Sequence, residues 1–495
     1  MMPEEEGTTT RTTDQTDKIK KPKKHYSSGF KSPDGSFLVE QIADDTGTVF
    51  LRYDKDASPQ AAPYPVDSYD HRGVTFTPYP ADHGNIMCLK MPSDAVDYGT
   101  TKELFEEIKS FIHFWAQLEE ISESLAAYYI LFSWVYDDFD EVPYLRVLAD
   151  LGSGKSRLAV RVLGAIAYKP LRTIGVSSIS AIFRGLDAMR GTLVVDEADF
   201  GDKSDKTSEL VQLLNTGYIS DVHIMRSESQ GGGRFQSQAF KVFGPKIIAS
   251  RETMKDHALE SRCLPIYMAE LTRKDIPLLT DNRLHVVSQQ LRNKLLMFRF
   301  KNSGNLVANI DYSFADLSLQ PRTKQLLLLI SSVIDDKEMK EELKGYAVQL
   351  NAKNLDMRAD TFEAELLTAI TLYMNRENLD PYRSEYFIPT QLIVDKLNEE
   401  KEGNFDKFTI KSVGKAIKTR LRLEGERVMK KGVNQRGIKF NYLQVANLCQ
   451  HYGLPIPPVV NDPLIPFVPG ALDLTPEQLT TEIDKQVDKD GLPPL

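Results

Sequence analysis

The sequence predicts an α/β protein whose centre is a parallel sheet with crossover helices, and three observations carry that expectation. Tyr144 to Tyr168 reads as an apolar run, a glycine-bearing loop from Ala149 to Ser156, and an amphipathic helical pattern in immediate succession. From Tyr144 to Met268 short apolar runs alternate with helical patterns, the signature of parallel strands joined by crossovers. One of those runs, Gly191 to Val195, ends in two adjacent acids, Asp196 and Glu197.

Composition sets the frame. A chain of 495 residues holds about three domains. Its 41% hydrophobic and 26% charged residues are ordinary for a globular protein and supply more than one core. No apolar run reaches the roughly 18 residues of a membrane span, and the N-terminus shows no apolar signal core, so a cytoplasmic protein with no membrane partner is expected. The three cysteines, Cys88, Cys263 and Cys449, are too dispersed for a disulfide framework or a zinc site. A net charge of −9 marks no nucleic-acid binder by itself, so local asymmetry matters more than the sum.

The elements follow in chain order. Residues 1–35 are polar and Thr-rich, and disorder is expected there. They include Lys18 to Lys24, KIKKPKK, which is either a basic arm for phosphates or a solvated tail. Residues 36–100 read as a small β-rich module: a hairpin over Phe37 to Tyr53 around Asp44-Asp45-Thr46-Gly47, then short β-like pieces from Gly73 to Met91. Lys102 to Phe139 predicts two helices. Their aromatic residues Phe105, Phe111, Trp115, Tyr129, Phe132 and Trp134 suit a core. Expected strands cover Tyr144–Leu148, Thr173–Val176, Thr192–Asp196, Val222–Arg226, Lys246–Ser250 and Leu264–Met268, completing a region 101–270. Residues 271–355 are largely helical, including Asn282–Phe300 and Gln325–Val333, and suit a lid or connector. In residues 356–450 three helical patterns, Phe362–Met374, Thr390–Asn398 and Thr409–Leu421, lead into two strand-like pieces, Glu426–Lys430 and Gly437–Tyr442, joined by KGVNQR. That order is the outline of a winged helix-turn-helix. Residues 451–495 form a Pro-rich acidic tail with one short helix from Thr475, where Pro476 suits the first turn.

The loop Leu151-Gly152-Ser153-Gly154-Lys155-Ser156 carries the first chemistry. Glycines let backbone N–H groups turn inward around phosphate oxygens, and a helix N-terminus favours the anion. Lys155 is placed to reach the β- and γ-phosphates, and Ser156 to offer a hydroxyl to Mg²⁺. The pattern G-x-x-x-x-G-K-[ST] departs at its first glycine, which is Ala149 here. Asp196 and Glu197 supply the second half: a strand-end carboxylate for Mg²⁺ and a general base for water. ATP and Mg²⁺ are therefore the expected cofactors.

With these motifs the chain resembles the AAA+ P-loop ATPases. More narrowly it is similar to replicative helicases of phages, plasmids and other mobile elements, related to superfamily III and minichromosome-maintenance helicases, over Leu104 to Glu270. The resemblance implies a sensor-1 position at the end of Lys246–Ser250, held by Ser250 or Arg251. It also implies that Arg262 reaches a neighbouring subunit's site as an arginine finger. Glu197, Arg262 and Ser250 then form the catalytic set, Ser156 and Asp196 the metal set, and a homo-oligomer, most simply a ring, completes each site. Between the acids and sensor 1, His223 to Phe243 reads as a hairpin with Gln230 to Gly233 at its turn. Related helicases project such a hairpin toward DNA; Arg234 touches phosphate on that reading, or belongs to an ordinary edge hairpin.

A sharper DNA signal lies in the C-terminal region. Ile410, Val413, Ile417 and Leu421 share one helical face, while Lys411, Lys415, Lys418 and Arg422 recur on another. From Lys401 to Lys439 twelve Lys/Arg stand against four Asp/Glu, a net of +8, which suits a phosphate backbone. The expected function is an ATP-dependent helicase of a mobile element acting as an oligomer on single- or double-stranded DNA, with replication or transposition proteins as further partners. The alternatives are an ATP-switched DNA-binding assembly factor without unwinding, and a defence or signalling ATPase whose winged helix binds protein.

Overall fold

The computed structural model describes residues 25–55, 62–87, 89–149, 153–174, 178–196, 205–229, 235–251, 254, 256–268, 272–317, 319–376, 385–399, 407–430 and 433–457. The chain divides into two compact units between Val348 and Gln349.

The first unit opens with a β module of two sheets, one antiparallel throughout and one mixed, in which His25–Ser27 runs parallel to Val74–Pro78. Gly29–Lys31, Phe37–Asp44, Gly47–Asp54 and Tyr64–Val66 form one; His25–Ser27, Val74–Pro78 and Tyr69–His71 form the other. The predicted hairpin is present with Asp44 paired to Gly47. Asp44 Oδ1 accepts from the N–H groups of Thr46 at 2.8 Å and Gly47 at 3.1 Å, an Asx turn that fixes the register. Two expectations change. Strands at His25–Ser27 and Gly29–Lys31 fall inside the stretch read as disordered, because pairing with strands further along the chain is invisible to local composition. Among the described residues of Gly73–Met91, Val74–Pro78 is the one strand, and Gly84–Met87 is a helical turn.

Helices α1 (Thr101–Trp115) and α2 (Glu120–Ser133) follow. A capping box starts α1: Thr100 Oγ1 accepts from Glu103 N at 3.1 Å while Glu103 Oε2 accepts from Thr100 N at 2.8 Å. Every residue of α2 from Ser122 to Ser133 is buried; Leu125 to Phe132 is apolar or aromatic all round, and the buried Glu123 carboxylate ahead of it meets His113 Nδ1 at 2.8 Å. Phe105, Phe111, Trp115, Tyr129, Phe132 and Trp134 are all core residues.

The central sheet has five parallel strands: β1 (Tyr144–Leu148), β2 (Leu171–Ile174), β3 (Leu193–Asp196), β6 (Lys246–Ser250) and β7 (Cys263–Tyr267). Their order is β7-β1-β6-β3-β2. The crossovers are α3 (Arg157–Leu163 in wide π-type turns, continuing through Gly164–Ile166), α4 (Ile179–Met189), α5 (Asp205–Thr216) and the short α6 (His257–Glu260). The run Val222–Arg226 does not join this sheet. It enters a separate antiparallel hairpin, β4 (Ile224–Ser229) with β5 (Phe235–Phe240), because a two-stranded ribbon with a glycine turn lacks the crossover that a parallel partner needs.

Helix α7 (Asn282–Asn302), α8 (Pro321–Ser331) and α9 (Lys337–Ala359) follow. Helix α7 is fastened along α3: Arg157 Nη1 donates to Leu278 O at 3.4 Å just before it, and Arg292 Nη1 donates to Ala165 O at 2.6 Å. A buried charge cluster then joins α7, the end of α3 and the β module. Glu40 sits between Lys169 Nζ at 2.8 Å and Arg299 Nε at 2.7 Å and accepts from Tyr168 Oη at 2.8 Å. Arg299 also pairs with Asp137 at 2.7 Å, and Lys169 donates to Ser28 O at 2.7 Å. Lys169 holds a left-handed backbone, φ 41°, and a Cβ on Gly191 would lie 2.2 Å from Lys169 O. The chain entering β3 is thus pressed against the residue that anchors the module.

The second unit orders α10 (Phe362–Arg376), β8 (Tyr386–Pro389), α11 (Thr390–Asn398), α12 (Ile410–Ala416, continuing through Ile417–Leu421), β9 (Glu424–Lys430), β10 (Val433–Phe440) and α13 (Tyr442–His451). The antiparallel sheet order is β8-β10-β9. Strand β8 is not signalled by the sequence pattern, and β9 and β10 extend closer to each other than that pattern suggests: Lys430 pairs with Val433. Polar residues facing solvent on a hairpin give little hydrophobic signal. Val413, Ile417 and Leu421 enter the core with Ile370, Ile393 and Phe440, whereas Ile410 is 39% exposed. The expected tail helix from Thr475 and the basic segment Lys18–Lys24 lie outside the described residues.

Candidate nucleotide site and basic face

All five strands of the central sheet run the same way, so their carboxyl ends share one edge, where α/β sheets bind ligands. Leu148 and Ser250 are paired at that edge, and Asp196 ends β3 one strand further on. The glycine loop leaves β1 there. Gly154 has φ +87°, and a Cβ at that position would meet nothing closer than Met268 Cε at 3.9 Å. The positive φ, not crowding, asks for glycine. Leu158 N–H donates to Gly154 O at 2.9 Å, so the helix begins directly from the loop.

Ser156 Oγ donates to Asp196 Oδ1 at 3.0 Å. This hydrogen bond joins the end of the loop to the end of the acidic strand across an intervening strand, 40 residues apart in sequence. A hydroxyl and a buried carboxylate are hard oxygen donors, which suits Mg²⁺ that keeps waters and takes phosphate oxygens. The residues present therefore fit Mg·ATP: Ser156 and Asp196 would hold the metal, and Gly154 and Lys155 would face phosphate. Ser153 and Lys155 are half-buried beside them. Leu151, Gly152 and Glu197 lie outside the described residues.

Ser250 is the last residue of β6 and is buried, while Arg251 beyond it is exposed. Sequence reading missed what holds Ser250. Arg146, fully buried in β1, donates from Nε to Ser250 Oγ at 3.2 Å and pairs through Nη1 with Glu260. Glu260 also accepts from Met254 N at 3.0 Å. A cation inside an apolar strand was the available signal, since a fully buried arginine requires partners.

Arg262 stands at the other edge of the sheet. Its carbonyl accepts from Tyr144 N–H at 2.9 Å, at the start of β1. The five residues of β1 put about 13 Å between that edge and the glycine loop of the same chain. The Arg262 guanidinium bonds Asn215 Oδ1 and lies 5.1 Å from the Tyr218 ring centre. Its Nε has no partner among the described residues. The structure thus keeps Arg262 apart from the glycine loop of its own chain.

The hairpin β4–β5 is present, with Arg226 3.6 Å from Glu209; its tip, including Arg234, lies outside the described residues. On the second unit Lys411, Lys415, Lys418 and Arg422 all lie on one stretch, α12 and its end, and all are exposed. Thr409 caps that helix through Ser412 N at 3.2 Å, and Arg422 ends it in a left-handed conformation, φ 56°. Among the described residues no helix is long and apolar enough to cross a membrane.

A scan against protein-family models finds no match. A search of curated proteins also finds none. Among solved structures, the apo C-terminal region of NrS-1 aligns with TM-score 0.38 at 13% identity, covering 81% of this chain and 95% of that one. An inhibitor-bound JCV helicase aligns with TM-score 0.22 at 11% identity, over 49% of this chain and 68% of that one. Likenesses at this level carry no inference about chemistry, which rests on the geometry above.

Proposed function

We propose that this chain is an AAA+ type P-loop ATPase that acts on DNA as an oligomer, in the manner of a mobile-element helicase. The hydrogen bond between Ser156 and Asp196 carries the reading, because it brings a hydroxyl and a carboxylate together beside the glycine loop. Bound Mg·ATP would supply the phosphoanhydride to be cleaved and the charge that offsets its oxygens. Residues Leu151 to Ser156 would bind and orient the phosphates, Lys155 by charge and the loop by backbone N–H groups. Glu197 would accept a proton from water, and Ser250, aligned by Arg146, would position that water or the terminal phosphate. Arg262 would act on the neighbouring copy, since it stands at the far edge from its own loop; a heterologous, ring- or filament-forming interface follows.

The second unit supports DNA as the partner. Its helix, strand, helix, helix, strand, strand order suits a winged helix-turn-helix, and the exposed cations of α12 suit phosphate binding. Turnover of Mg·ATP, measured with and without single- and double-stranded DNA, tests the reading on wild type, Lys155→Ala and Glu197→Gln. Both variants should lose turnover by at least about a hundredfold while remaining folded. Unchanged turnover in both would remove the site assignment. Mixed Lys155→Ala and Arg262→Ala chains should recover part of the activity if sites are shared. DNA-stimulated turnover with assembly on duplex but no strand displacement would favour the switch reading over the helicase.

A further inference from the structure

A cavity of about 480 Å³ lies beside the middle and far end of α3 and away from the glycine loop. Lys90, Arg161, Arg172 and Arg292 converge on it, with His285 at its rim, and no carboxylate is among the described residues that line it. These cations come from four separate segments: the strap after the β module, α3, β2 and α7. Arg161 and Ala165 follow Ser156 by five and nine residues, or about 7 and 13 Å along a helix.

The site is built rather than a loose collection of surface cations. Arg292 is buried, and Met91 O, Ala165 O, Ser288 Oγ and Gln289 Oε1 accept four of its five N–H groups, the first three at 3.2, 2.6 and 3.2 Å. Gln289 is held in turn by Met91 O at 3.3 Å and Ser93 Oγ at 3.2 Å. Arg172 lies across α3, its Cδ within 3.5 Å of where a Gly164 Cβ would be. Burial lowers the proton affinity of Lys90, and Arg172, Arg292 and Arg161 lower it further. Burial and then Arg172 bring Arg292 down to about 10. Lys90 and Arg292 are therefore destabilised by the cations around them, and an anion placed among them relieves that repulsion.

We propose that this cavity binds a small phosphate-bearing ligand at a site separate from the glycine loop. The guanidiniums of Arg161 and Arg172 with the Lys90 ammonium suit a multiply charged phosphate, while Arg292, held by the protein, adds fixed positive charge behind them, and the apolar walls from Leu89, Met91 and Leu284 suit an organic group attached to it. A recessed cavity with a buried arginine suits a compact ligand better than a continuous DNA backbone. Because Arg161 and Ala165 belong to α3, occupancy bears on the helix that begins at Ser156.

The test separates this site from the glycine loop by starting from full-length Lys155→Ala. Calorimetry with pyrophosphate and with ADP should show binding to Lys155→Ala that weakens at least roughly tenfold per removed guanidinium in Lys155→Ala/Arg161→Gln/Arg172→Gln. If Arg172→Gln lowers the melting temperature, Arg161→Gln with Lys90→Gln carries the same comparison. No binding of either probe to Lys155→Ala, or equal binding to the multiple variant, overturns the proposal. So does a result in which only a single-stranded oligonucleotide depends on these residues, which would make the cavity part of a nucleic-acid backbone path. Loss of turnover is not a readout here, so failure of the ATPase reading leaves this test intact.

Discussion

Replacing Lys246 with Met should flatten the rise of stability with pH just above neutrality. Lys246 opens β6 and is fully buried. Its Nζ donates to Val242 O at 3.0 Å and Gly244 O at 2.6 Å and lies 5.4 Å from the Tyr144 ring centre. Burial brings its pKa from 10.5 down to about 7. A lysine depressed in the fold binds fewer protons folded than unfolded between those two values. Unfolding free energy therefore rises with pH across that window, by at most about 1.4 kcal/mol per pH unit. Between about pH 7 and pH 8.5 the gain is about 1.5 kcal/mol, because the folded lysine is already half neutral at the start. Met removes that slope. It also strips two carbonyls of their donor, a constant offset that changes the level and not the slope. Above about pH 9 Cys263, pushed up to about 12 by burial, acts in the opposite sense, since the unfolded thiol ionises first. Urea unfolding midpoints of wild type and Lys246→Met should thus be compared below about pH 9. Parallel curves would refute the reasoning and mean that Lys246 keeps its charge in the fold.

Four further outcomes are expected. Glu40→Gln should cost about 3 to 5 kcal/mol, read as a fall in the urea midpoint, because Lys169 and Arg299 would stay buried without their shared carboxylate; a change below about 1 kcal/mol would mean the cluster is solvated. Burial pushes the Glu40 carboxyl up, but Lys169 and Arg299 bring it below the usual range, and Arg299 likewise holds Asp137 at about 2 against burial. These depressed acids contribute stability above the ordinary carboxylate range, and it should be lost as pH falls from about 4 toward about 2 in wild type. Ser156→Ala should raise the Mg²⁺ concentration needed for half-maximal turnover roughly tenfold, the size of one charge-assisted interaction, with little effect on folding. Lys411→Glu with Lys415→Glu should weaken DNA binding and lower the salt slope by roughly 0.9 for each phosphate no longer neutralised; an unchanged slope would point to a protein partner for that face.

What was legible in the sequence was what local pattern encodes. The apolar run, glycines and helix from Tyr144 announce β1, the loop and α3, and the apolar run before Asp196 announces β3. The aromatic helices and the buried face of α12 followed from periodicity. What escaped was set by distant pairing. Glu40 and Arg299 lie 259 residues apart, and no window of sequence reveals that they meet. Arg146 looks like a polar interruption of a strand until Ser250 and Glu260 come to flank it. The placement of Val222–Arg226 in the sheet failed for a related reason: an apolar run states burial on one face but not which partner supplies it. The cavity cations were equally hidden, each an ordinary charged residue within the pattern of its own segment.

The close approach at Gly191 has a bearing on how this protein can be taken apart. Lys169 is at once the left-handed residue leaving α3, the neighbour that admits only a glycine at the entry to β3, and the buried partner of Glu40. The β module is therefore no detachable accessory. A chain trimmed to begin at Thr100 would leave Lys169 and Arg299 facing the space that Glu40 fills. The first unit is best handled as one inheritable piece from His25 onward, and shortened forms that start later should be judged by their fold before their activity.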